Sequence, residues 1–227
     1  MTFVVLPASI PEIREVYDAY FAAFEGELVT EVLFPWDVNN NEFREGHTNH
    51  TLGYWHKDNV QYTFKCIDTE SGEIVGMSLW DVYWRERSED ERRLPAVDWL
   101  QGQQKERAQK FIQAFWEKKE ALVGGKKHVY CHVVAVHPKY QRRGVGSMLT
   151  KPGIDIAEQL RVPVYLEATD KAIKMYSDLG FEKLRGGVHL GPEIVGGQDH
   201  LEAPIMVRMP ASLDLANFSQ WARRSSV

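Results

Sequence analysis

Cysteine is scarce in this chain. Cys66 and Cys131 are the two present among 227 residues, and no Cys-x-x-Cys spacing occurs. That argues against a disulfide bridge and against a cysteine metal pair; both residues sit in strand-like stretches, where buried thiols are expected. No run of apolar residues reaches the roughly 18 that a membrane-spanning helix needs. The opening Met1-Thr-Phe-Val-Val-Leu6 is too short an apolar run for a signal peptide and has no basic leader, so a cytoplasmic location is expected. Positive charge is also short, with 27 Lys and Arg against 32 Asp and Glu and a net charge of −5. Without a basic stripe, nucleic acid and anionic membrane surfaces are not expected partners. Internal repeats and Pro/Ser-rich linkers are absent, so residues 1–227 read as one domain.

What is present is a globular balance, 44% hydrophobic and 11% aromatic. A chain of this size can bury its own core, and no metal is expected to hold it together. Thr2–Leu6 reads as a strand. Ser9-Ile-Pro-Glu12 forms a capping box, and Ile10, Ile13, Val16, Tyr17, Tyr20, Phe21 and Phe24 then recur at helical spacing. Residues 25–56 read as a second helix with broken ends, interrupted at Phe34-Pro-Trp36. Strands at 60–67 and 73–83 flank the turn Asp68-Thr-Glu-Ser-Gly72 as a hairpin. Residues 85–127 look like an insertion carrying a helix that Gly124-Gly125 ends. Beyond it, strands at 128–136, 164–167, 181–190 and 204–209 alternate with helices at about 147–160 and 171–179, and a short tail follows at 211–227. This order implies an α/β fold: a central mixed sheet of about six or seven strands with helices on both faces.

One segment carries chemistry. A strand ends at Val136-His-Pro138, a short loop holds Gln141, Arg142 and Arg143, and Gly144-Val145-Gly146-Ser147 opens a helix. Glycines let backbone approach an anion closely. Successive N–H groups and the positive end of a helix then attract phosphate. Other Gly-rich patterns fail on residue identity. Leu149 stands where a dinucleotide fingerprint needs its third Gly, and Met148 follows Ser147 where a P-loop needs Lys before Ser or Thr.

Gln141-Arg-Arg-Gly-Val-Gly146 resembles the Q/R-x-x-G-x-G/A signature of the GCN5-related N-acetyltransferases (GNAT). Val164-Tyr-Leu-Glu-Ala168 is similar to that family's fifth strand, and Ala172-Ile-Lys-Met-Tyr-Ser-Asp-Leu-Gly-Phe181 to its A-x-x-L-Y-x-x-x-G-F motif. The match runs from about 128 to 183. It implies that acetyl-CoA binds as co-substrate in a cleft between the fourth and fifth strands. Backbone groups of Val134 and Val136 would pair with pantetheine, and N–H groups from Arg142 to Ser147 would hold the pyrophosphate. Transfer would be direct from acetyl-CoA. The acceptor is expected to be a primary amine of a small molecule, the alternatives being a hydroxyl, a protein or peptide amine, or a non-catalytic acyl-CoA sensor, and the protein is expected to be a monomer or homodimer. Tyr176 matches the tyrosine beside the departing sulfur, where a phenol can donate a hydrogen bond to the thiolate.

The attacking amine must lose a proton. Period two puts Tyr130, His132, Val134 and Val136 on one face of the fourth strand, which makes His132 a candidate base by position and by its near-neutral reference pKa. His137, before Pro138, reads as structural. Thr169 stands where many members carry Asn, and would anchor pantetheine with one hydrogen bond fewer. Pro152 is expected to kink its helix. On the acceptor side, Glu25, Glu27, Glu31, Asp37, Glu42 and Glu45 face one base, Arg44, beside Phe34, Trp36 and Phe43. Such a surface can receive a cationic amine or be a solvated acidic face. Trp80, Trp84 and Trp99 are candidates for walling the cleft.

Overall fold

The computed structural model describes residues 2–55, 60–213 and 217–223. The last residue of the expected second helix and parts of the expected tail, 214–216 and 224–227, lie outside them. Seven strands form the main sheet in the order β1-β2-β3-β4-β5-β9-β6: β1 (Phe3–Pro7), β2 (Gln61–Asp68), β3 (Ile74–Tyr83), β4 (His128–Val136), β5 (Val164–Glu167), β6 (Glu182–Lys183) and β9 (Ile205–Arg208). β7 (Val188–Leu190) and β8 (Leu201–Ala203) make a separate antiparallel pair. The helices are α1 (Ile13–Ala23), α2 (Leu28–Leu33), α3 (Asn41–Trp55), α4 (Gly102–Leu122), α5 (Val145–Leu160), α6 (Ile173–Asp178), α7 (Pro192–Val195) and α8 (Phe218–Arg223). The chain divides into two compact units, 1–82 with 131–155, and 83–130 with 156–227.

The first unit is built on the β2–β3 hairpin, whose register runs from Gln61↔Asp81 to Cys66↔Gly76 and then shifts at Ile67. One side of its strands packs on Val16, Tyr20 and Phe21 of α1 through Met77 and Ala135. The other side packs Cys66 and Val75 on Val145 and Leu149 of α5. Ser9 and Glu12 form the capping box expected before α1: the Glu12 carboxylate accepts from the Ser9 N–H at 2.9 Å. The expected second helix is instead two helices, α2 and α3, separated by 34–40. Pro35 cannot donate to a helical ladder, and Asn40 caps the next helix through its Oδ1, which accepts from the Glu42 N–H at 2.8 Å.

α5 runs as one helix through Pro152. Gly153 beside it lets the helix close on Trp80, which is fully buried and donates its indole N–H to Ser78 Oγ at 2.9 Å. Trp80 is therefore core and not a wall of a cleft, whereas Trp84 is exposed.

In the second unit β9 lies antiparallel to both β5 and β6. The expected single strand at 181–190 is two strands in two sheets. Gly186 at φ +70 turns the chain out of the extended conformation between them. α4 is tied to the segment before it by Trp116, whose Nε1 donates to the Arg92 carbonyl at 2.9 Å. It is tied to α7 by Arg107, whose Nε donates to the Ile194 carbonyl at 2.7 Å. Both cysteines are buried free thiols, as expected, and burial pushes the Cys66 thiol up to about 11.

Candidate active site

After β4 the chain makes a short turn at Pro138–Tyr140, where the His137 ring accepts from the Lys139 N–H at 3.3 Å. His137 is structural, as its place before Pro138 led us to expect. Gln141 then donates its side-chain amide back to the Val136 carbonyl at 3.1 Å and pins the loop to the strand end. Arg142 takes a left-handed φ of +62 and Gly144 one of +85. For an arginine that conformation is strained, and alternation of hand is what turns successive N–H groups into one concave nest. α5 opens at Val145, and Met148 N–H donates to the Gly144 carbonyl at 3.0 Å. The N–H groups of Val145, Gly146 and Ser147 precede that bond and have no partner inside the helix. Arg142 and Arg143 are exposed beside them. The positive end of the helix and its N–H groups lie next in sequence to two exposed arginines, a fit for a pyrophosphate.

The structure divides the residues that period two placed on one face of β4. Residues 77–81 of β3 pair without interruption against 65–61 of β2, so Asp81 continues the face of Met77 and Leu79. His132 Nε2 lies 2.6 Å from Asp81 Oδ2, which puts His132 on that face. Val133 and Ala135 pack with Met77 in the same cluster, while Val134 and Val136 pack with Val145 and Leu149 on the other side. The alternation slips by one residue next to His132. Hydrogen bonds show the same slip. Val129 N–H reaches the Pro163 carbonyl and His137 N–H the Val75 carbonyl, both at 2.9 Å. An even separation would put both on one edge of a regular strand, yet they serve opposite edges. This is what a bulge does. His132 therefore does not share a face with Val134 and Val136. The backbone groups of those two valines point away from β3, because that of His137 points toward it.

Asp81 escaped the sequence reading, although a lone carboxylate inside the apolar run Ile74–Tyr83 was the available sign. Its side chain is 9% exposed and that of His132 is 34%. The acidic residues of 25–45 are mostly exposed, which favours a solvated face. Arg44 is buried, pairs with Asp18 and lies 4.4 Å over the Phe21 ring. Phe34 and Phe43 belong to the packing cluster around α1, while Trp36 stays 46% exposed.

Tyr176 and Thr169 belong to the second unit. Tyr176 is 5% exposed on α6 and its ring meets Phe181 edge-on at 5.4 Å. Thr169 is exposed at the head of a short turn, where its carbonyl accepts from the Ala172 N–H at 2.9 Å. Nearby, the Glu167 carboxylate accepts from Tyr130 at 3.0 Å and Tyr165 at 2.8 Å. Burial, with the Glu167 charge behind it, drives the Tyr165 phenol strongly upward. Among the described residues no group of three or more His, Cys, Asp or Glu is placed to hold a metal, and no helix is long and apolar enough to cross a membrane.

The model of the Acetyltransferase (GNAT) family matches residues 13–181. The chain belongs to this family. A probable acyltransferase SID5 of Ajellomyces capsulatus is 37% identical over 136 residues, covering 60% of this chain and 94% of that one. Among solved structures, the GNAT fold recurs in a mosquito arylalkylamine N-acetyltransferase like 5b (TM-score 0.65, 14% identity, 92% of this chain and 100% of that one). It recurs also in a histone acetyltransferase HPA2 and related acetyltransferase from Corynebacterium glutamicum (TM-score 0.57, 22% identity, 95% and 100%). This GNAT protein is an acyltransferase, and acetyl-CoA is the family's co-substrate.

Proposed function

We propose that this GNAT enzyme transfers the acetyl group of acetyl-CoA directly to the primary amine of a small molecule. The observation that carries the reading is the loop Gln141–Ser147, with left-handed backbone at Arg142 and Gly144 and free N–H groups at the start of the sixteen-residue α5. Arg142 to Ser147 hold the pyrophosphate, and the edge of β4 turned away from β3 at Val134 and Val136 takes the pantetheine arm. Gln141 acts by fixing the loop to Val136, and Thr169 offers a hydroxyl to pantetheine.

His132 takes a proton from the acceptor ammonium, whose reference pKa near 10.4 leaves little free amine at neutral pH. The amine then attacks the thioester carbonyl carbon, the C–S bond breaks with Tyr176 giving a hydrogen bond to the leaving thiolate, and the second proton that the nitrogen sheds on becoming an amide replaces the one Tyr176 passes to the sulfur. A phenol near 10 against a thiol near 8.5 makes full proton transfer slightly uphill, so the hydrogen bond forms first and the proton follows late. The family match over 13–181 spans the 85–127 segment and supports one catalytic domain with that segment inserted in it.

The test mixes the protein with acetyl-CoA and polyamines, amino acids, aryl and alkyl amines, aminoglycosides and a lysine peptide, and follows free thiol. Release with one small amine is expected, with Tyr176→Phe lowering turnover by ~10²-fold or more at unchanged acetyl-CoA affinity. Release with the peptide or with an alcohol alone would overturn the acceptor class. Binding of acetyl-CoA without release for any acceptor would point instead to a narrow acceptor outside this panel or to a non-catalytic acyl-CoA sensor.

A further inference from the structure

His132 and Asp81 are 51 residues apart in sequence and are brought to 2.6 Å by the pairing of β3 with β4. We propose that Asp81 is a positioning residue for acetyl transfer: its carboxylate holds the Nε2–H of His132, so that Nδ1 is the atom that receives the acceptor's proton. This deepens the reading of His132 as the base and rests on it.

The atom assignment follows from hydrogen-bond chemistry. With Asp81 ionised, its carboxylate 2.6 Å from Nε2 accepts and has no proton to give. Nε2 must then carry the hydrogen, and a neutral imidazole protonated at Nε2 has its lone pair on Nδ1. When Nδ1 takes the proton, one N–H bond of the ammonium breaks, the Nδ1–H bond forms, and the freed amine pair attacks the thioester. The imidazolium charge appears beside a carboxylate already in place, so no group has to reorganise to meet it.

Burial divides the pair in the sense this role needs. The Asp81 side chain is 9% exposed and that of His132 is 34%. The carboxylate is thus fixed on the protein side and the ring reaches solvent. Asp81 sits in the uninterrupted register of β2 and β3, and a group on paired strands is held more tightly than one on a loop. The slip in β4 is the second half of the device. Without it His132 would share the face of Val134 and Val136, where Val145 and Leu149 of α5 fill the space. With it the ring turns to the face of Met77, Leu79 and Asp81.

A histidine that merely satisfies a buried aspartate would show the same contact, so the test needs a readout that packing alone does not move. In 15N-histidine-labelled protein, the His132 resonances, identified by their loss in His132→Gln, are expected to show the Nε2–H tautomer with unprotonated Nδ1. In Asp81→Asn the side-chain amide can donate to Nε2, and the tautomer is expected to move toward Nδ1–H. With the amine that releases most thiol, kcat in Asp81→Asn should fall ~10–100-fold, the size usual for an orienting partner, with the KM for acetyl-CoA unchanged. An Nδ1–H tautomer in the unmutated protein would overturn the proposal. Asp81→Asn at full turnover would overturn it also. If His132→Gln keeps full turnover, the base itself is elsewhere, and the assignment of Asp81 falls with it while the acetyl-transfer reading stands.

Discussion

Gly153→Ala sets two effects of opposite sign against each other inside the helix that follows the phosphate loop. Ala is the better helix former by ~1 kcal/mol, so in an exposed helix the substitution would stabilise. Here a Cβ would stand 2.4 Å from two atoms of the Trp80 ring and 2.6 Å from a third. The indole has no room to give: it is fully buried, and its N–H is held on Ser78. Overpacking of this kind costs typically ~1–3 kcal/mol, and three close ring contacts put the cost at the upper end. The net effect is a loss of about 2 kcal/mol, which for a chain of this length lowers Tm by roughly 4–8 °C. Because α5 begins at Val145, directly after Gly144, a displaced helix carries the loop with it, and the KM for acetyl-CoA should rise. Differential scanning calorimetry with a double-mutant cycle checks the origin of the loss. In a Trp80→Leu background the clash is removed, and Gly153→Ala should become neutral or stabilise by ~1 kcal/mol. A higher Tm for Gly153→Ala in the unmutated background would refute the reasoning, since it would mean that propensity outweighs the contact with Trp80.

Two further outcomes are expected. Gly144→Ala puts a Cβ on a residue at φ +85 with no protein atom within 4 Å. Backbone strain of ~1–3 kcal/mol should lower Tm by several degrees, and isothermal titration should show weaker acetyl-CoA binding; unchanged affinity would remove Gly144 from the site. Burial, with Arg44 and His50 behind it, depresses His47 to about 4 from 6.5, so the unfolded chain binds the extra proton first as pH falls. The neutral His47 therefore contributes stability that is full above about pH 6.5 and is lost as pH drops toward 4, a loss of the order of a few kcal/mol. His47→Gln should flatten that part of a urea-unfolding profile against pH, and an unaltered slope would show that other groups set it.

The readable parts of this protein are local ones. The phosphate loop lies in seven consecutive residues, Gln141–Ser147, and its strand and helix flanks follow from apolar runs on either side. β4 and β5 fall where their apolar runs put them, at His128–Val136 and Val164–Glu167. Breaks set by single residues were harder to place. Pro35 and Asn40 divide α2 from α3, and Gly186 divides β6 from β7. In each case the breaker was visible, but whether the chain resumes in the same element depends on what it packs against.

The face of His132 was beyond reach for a deeper reason. Period two assumes that a strand keeps its pleat, and β4 does not: one slipped residue exchanges every side chain beyond it between the two faces. Nothing in Tyr130-Cys-His-Val-Val134 marks the slip, because each of these residues is at home on either side of a sheet. The mark lies fifty-one residues away, in a carboxylate on β3. A buried Asp81 costs free energy unless something donates to it, and of the residues near the slip His132 can donate a ring N–H. The turn of the strand, the burial of Asp81 and the orientation of His132 are thus one arrangement, legible only once β3 and β4 are side by side.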